Sequence, residues 1–138
     1  MSYLRRFALF VLVCGVLLGG LGSTMLLAEN SPTLANVKKV YVEKMKNNLD
    51  QYITAEISRQ FHGSLTVVLA REEADAIMKG INIDVRTSEA TVQLVDPAGK
   101  LVLWSGTGND RNKLIMTHEG EQGVASHLVK DLRKSMQR

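Results

Sequence analysis

Leu49, Ile53, Ile57 and Phe61 recur every fourth position with Tyr52 beside them, one apolar stripe on a helix. Asn48 stands where a cap belongs, Gln51 is its capping-box partner, and Gly63 ends the helix. Before it, Val37–Glu43 is rich in β-branched and aromatic residues and reads as a strand. After it, Ser64–Ala70 is a continuous apolar run, predicted as a strand buried on both faces. Strand, helix, strand at this spacing predicts parallel strands joined by a right-handed crossover.

Further on, Arg71–Lys79 is predicted as a short helix. Ala74, Ile77 and Met78 lie inward, acidic residues occupy the first turn, and Gly80 ends it at φ > 0. Ile81, Ile83 and Val85 then alternate with polar residues, as do Ala90, Val92 and Leu94. Asp96-Pro97-Ala98-Gly99 is turn chemistry, and Leu101–Ser105 returns as the partner strand. Val124, Leu128, Leu132 and Met136 form a closing helical stripe with basic residues crowding its end. The predicted class is α+β, a two-layer α/β sandwich of order β-α-β-α-β-β-β-α. One mixed sheet carries its helices mainly on one face.

The amino-terminal pattern differs. Phe7–Ala28 carries no charge and follows Arg5 and Arg6, the arrangement of a secretory signal or a signal anchor. Residues 29–36 read as a linker and 37–138 as a single domain. The positive-inside rule places the domain outside the inner membrane, periplasmic or secreted. If the run is retained, the domain is inner-membrane anchored, and residues 7–28 supply the membrane contact. The formal charge of +3 changes little: two of the 17 basic residues belong to the leader and none of the 14 acidic ones does. A nearly balanced domain is not the basic footprint of a nucleic-acid binder. The single cysteine, Cys14, lies in the leader, so neither a disulfide nor a Cys-based zinc site is expected in the domain.

Glu72-Glu73-Ala74-Asp75-Ala76-Ile77-Met78-Lys79-Gly80, followed by the run Val92 to Trp104 with Asp96 and Gly99, resembles a class of bacterial envelope domains. The class includes the amino-terminal domain of the Tol-system propeller protein, the curli-secretion lipoprotein domain, and small secreted proteins of unknown function. The resemblance covers roughly Val37 to Met136 in order of elements and implies assembly or binding in the envelope. Its residues define a fold and not a reaction. Cys14 follows Val13 where a lipobox requires a small residue, and no propeller pattern is present, so neither specific activity is expected here.

Candidate chemistry is sparse. His62, His118 and His127 show no ligand spacing, and capping or surface roles suffice for them. Ser105-Gly106-Thr107-Gly108 lacks the lysine of a phosphate loop and reads as a turn. Ser58, Ser64 and Ser105 lack a nucleophile-elbow context. Asp75 is expected to bond local backbone, Glu72 and Glu73 to face solvent, and Trp104 to anchor the core. The stretch 106–120 is long for a loop. Its consecutive Leu114, Ile115 and Met116 cannot all face one way, which makes them the candidate partner-binding residues. The function expected is a non-catalytic envelope binding or assembly module, with a protein partner or self-association and no cofactor. The alternatives are a small secreted hydrolase using His118 or His127 with a carboxylate, or a membrane-anchored structural subunit.

Overall fold

A computed structural model describes residues 31–84, 89–109 and 119–138. Its strands are β1 (Lys39–Val42), β2 (Thr66–Val68), β3 (Ala76–Asp84), β4 (Glu89–Val95) and β5 (Val102–Asn109). Its α-helices are α1 (Leu49–Phe61) and α2 (Glu119–Met136). The strands form one mixed sheet in the order β2-β1-β3-β4-β5. β1 pairs in parallel with β2 and β3, while β3, β4 and β5 form an antiparallel meander. The predicted α+β class and the parallel β1-α1-β2 unit are both present.

Period-2 alternation sends Val40, Ala76, Met78, Val92, Leu94 and Trp104 to the helical layer. There they meet Leu49, Ile53, Ile57 and Phe61 of α1, and Val124, Ala125, Leu128, Val129 and Leu132 of α2. These are the two stripes legible in the chain. α1 also buries Glu56, which accepts from Arg59 Nη2 at 2.6 Å and Gln60 Nε2 at 2.7 Å. Burial pushes this carboxyl up, but the Arg59 and Gln60 hydrogen bonds outweigh it and hold the group below its ordinary range.

Several local expectations change. Arg71–Glu73 is only a 3₁₀ turn, and Ala76 to Lys79 belong to β3, not to a helix. Ala74, Ile77 and Met78 satisfy a helical spacing, but Ala76, Ile77 and Met78 are all buried because β3 is the central strand. Pairing with β1 and β4 supplies hydrogen bonds on both sides that a short helix there would forfeit. Gly80 consequently does not end a helix and is not among the positive-φ glycines, which are Gly63 and Gly99. It opens a bulge in which Gly80 faces Val92 and Asn82 faces Thr91, leaving Ile81 unpaired and half exposed. Ile81 therefore leaves the buried face expected for it.

β2 is an edge strand, not a strand buried on both faces, and Leu69 just after it is 95% exposed. Asn48 precedes α1 in a left-handed conformation and makes no side-chain cap; Asp50 Oδ1 instead accepts from the Met45 N–H at 3.2 Å. Leu34–Asn36, inside the expected linker, forms a 3₁₀ turn, and Leu34 packs against the core.

The Asp96–Gly99 turn forms as expected. The Gly99 N–H donates to the Asp96 carbonyl at 2.8 Å, and Gly99 has φ 71°. The Asp96 carboxylate also accepts from the Lys100 and Leu101 N–H groups, each at 2.6 Å. The Leu101 bond is the strongest influence on this carboxyl. With help from Lys100 it overcomes burial and holds the group below the usual carboxylate range.

Candidate functional site

The surfaces open to function follow from the layering. Both helices lie on one face of the sheet, so the other face has no helical cover among the described residues. Register aligns Val68, Tyr41, Ile77, Val95 and Val102 across all five strands on that second face. Ile77 and Val95 at the centre are buried, whereas Val102 at the β5 end is 57% exposed. The neighbouring row of Lys79, Gln93 and Ser105 is polar. This face is thus an apolar band on a polar ground.

β5 forms one edge of the sheet, and its eight residues include no charge and no proline. Edge strands are commonly guarded by lysine, proline or a charged rim. Val102, Ser105 and Thr107 are exposed along this edge. Its other face is shaped by glycine. Gly106 lies under the Trp104 indole, where a Cβ would overlap the ring. A Cβ on Gly108 would stand 2.8 Å from the Val124 carbonyl oxygen and 2.9 Å from Leu128 Cγ. The two glycines let the indole and α2 lie directly on the strand. Ser105-Gly106-Thr107-Gly108 is therefore neither phosphate loop nor turn but continuous strand. The alternation of Trp104, Gly106 and Gly108 with Ser105 and Thr107 was the available signal, and glycine concealed it.

A half-open cavity of about 510 Å³ is formed by three segments distant in sequence. Val37 and Lys38 come from the chain before β1, Phe61 and His62 from the end of α1, and Arg133 and Met136 from α2. Arg133 Nη1 donates to the Gln60 carbonyl at 3.3 Å. Its Nε is buried with no hydrogen-bond partner among the described residues. In the sequence the basic residues at the end of α2 are accounted for by the helix dipole, and no local pattern marks this cavity.

The remaining candidates disperse. His62 ends α1 in a left-handed conformation, φ 49°, and is exposed. The His127 Nδ1 lies 3.0 Å from the Asn109 carbonyl oxygen. The Ser58 and Ser64 hydroxyls donate to the Thr54 and Phe61 carbonyls. Glu72 and Glu73 are exposed. Among the described residues no group of three or more His, Cys, Asp or Glu could hold a metal ion. Trp104 is 7% exposed and belongs to the core. His118, Leu114, Ile115 and Met116, together with the leader 7–28, lie outside the described residues. Among the described residues no helix is long and apolar enough to cross a membrane.

No protein-family model and no curated protein matches the chain. Solved structures are similar to it, two of them as follows. One is the PelC L103M dodecamer from Paraburkholderia phytofirmans, at 15% identity and a TM-score of 0.42, over 74% of this chain and 90% of that one. The other is uncharacterized lipoprotein B from Nitrosomonas europaea, at 14% identity and a TM-score of 0.43, over 75% of this chain and 86% of that one. The chain thus has a small lipoprotein and PelC as structural neighbours, and at this similarity no residue role, partner or activity passes from them.

Proposed function

We propose that this protein is a non-catalytic binding or assembly module of the bacterial cell envelope, exported by its leader and acting through the β5 edge. The observation that carries the proposal is that edge: eight residues of strand without a charge or proline, beside an apolar band on the face away from the helices. An unguarded edge recruits a further strand, either from a second copy or from an extended partner segment, by main-chain hydrogen bonding. Uncharged side chains let two copies of β5 face one another without like-charge repulsion. Leu114, Ile115 and Met116, which follow β5 in the chain, are proposed as further partner-binding residues.

Crosslinking on intact cells followed by pull-down tests the proposal. A reproducible envelope partner or a homo-oligomer is expected. Ser105→Lys with Val102→Lys, both at exposed positions, should abolish its capture while the melting point is kept. Capture that survives both lysines removes β5 as the contact, and the absence of any reproducible partner ends the assembly reading. The hydrolase alternative calls for a carboxylate beside His127, whose Nδ1 instead lies against the Asn109 carbonyl.

A further inference from the structure

We infer that the cavity between the start of β1 and the ends of the two helices binds the phosphate headgroup of an anionic phospholipid. The inference goes beyond the edge-strand proposal and uses none of the same residues. Two cationic side chains, Lys38 and Arg133, line the cavity together with the His62 imidazole, and among the described residues no Asp or Glu does. A concave site with one sign of charge favours the opposite sign in its ligand, more strongly than the same charges on a flat surface.

Arg133 is the anchor. Complementing a helix end explains part of it, since Nη1 donates to the Gln60 carbonyl in the last turn of α1. That bond leaves Nε buried and unpaired among the described residues. A buried N–H without an acceptor carries its desolvation cost uncompensated, and a turn of the guanidinium toward the cavity would let a phosphate oxygen relieve it with a charge-assisted bond. Lys38 supplies a second, exposed charge on the strand side of the cavity.

The remaining walls select among anions. Val37, Phe61 and Met136 present apolar surface beside the cations. Free phosphate has no use for such a wall, whereas the glycerol and first methylenes of a lipid do. The volume of 510 Å³ falls in the range of small-molecule sites, about 300–1,000 Å³.

The test is a calorimetric titration of full-length protein in dodecyl maltoside with dihexanoyl phosphatidic acid, dihexanoyl phosphatidylcholine and inorganic phosphate in separate runs. Saturable binding of phosphatidic acid is expected, at least tenfold tighter than either of the others. Arg133→Gln and Lys38→Gln should each weaken it about tenfold. Lys38 is exposed, so its variant carries the test even if Arg133→Gln lowers the melting point. Equal affinity for phosphatidylcholine, or unchanged affinity in both variants, reduces the signal to partition into micelles and overturns the site. Equal affinity for inorganic phosphate overturns the lipid assignment in favour of a free anion. No saturable binding by phosphatidic acid overturns the inference altogether.

Discussion

Asp75 and Lys39 hold each other by two reciprocal bonds: the Lys39 N–H donates to Asp75 Oδ2 at 2.9 Å, and the Asp75 N–H donates to the Lys39 carbonyl at 2.9 Å. The same carboxylate oxygen accepts from the Lys38 N–H at 3.0 Å. Asp75 therefore fixes where β3 joins β1, bonding backbone 36 and 37 positions away and not its own local chain. Asp75→Ala should leave these donors to water and cost about 1–3 kcal/mol. Asp75→Asn keeps one oxygen acceptor and should cost clearly less. Urea unfolding of the two variants checks this, and equal losses would mean that the acceptor geometry does not matter.

Trp104→Ala removes a buried aromatic from the core and should cost about 3–5 kcal/mol. With a total stability of roughly 5–15 kcal/mol, the melting point should fall visibly. An unchanged melting point would mean that the indole does not anchor the helical layer.

Gly108→Ala tests how α2 sits on β5. The added methyl meets helix backbone at Val124, which cannot swing aside as a side chain can. A loss of about 1–3 kcal/mol is expected, as for other overpacked sites. At Gly80 the nearest atom is the end of the flexible Ile83 side chain, and φ is not in the positive range. Gly80→Ala should therefore be the milder change in a thermal melt. The reverse order would place α2 elsewhere.

Asp96 predicts the sign of one pH dependence. Its folded carboxyl is held below the ordinary value, chiefly by the Leu101 N–H. Near pH 4 the unfolded chain consequently binds more protons, so stability rises with pH through that region. The contribution is present above the unfolded value and is lost as pH falls through the folded one. Asp96→Asn should flatten the acid limb of a stability–pH curve below about pH 4 and leave its slope near pH 7 unchanged. An acid limb identical to that of the parent protein would mean that the turn does not depend on the charge.

The sequence by itself determined the pieces whose signal is local. The four-residue stripe of Leu49 to Phe61 and the stripe of Val124 to Met136 needed only helical periodicity. Asp96 to Gly99 needed only turn stereochemistry, because Pro and Gly preset the backbone wherever they sit. Tertiary structure decided what depends on partners. Ala74, Ile77 and Met78 suit a helix as well as a strand, and β1 and β4 on either side of Ala76–Asp84 settled it. Ser64–Ala70 is apolar enough for a central strand, but β1 takes β3 on its other side and leaves β2 at the rim. Gly106 and Gly108 look like a loop until a ring and a helix lie on them. The cavity at Lys38, His62 and Arg133 exists only because three distant segments converge, and no one-dimensional pattern records that convergence.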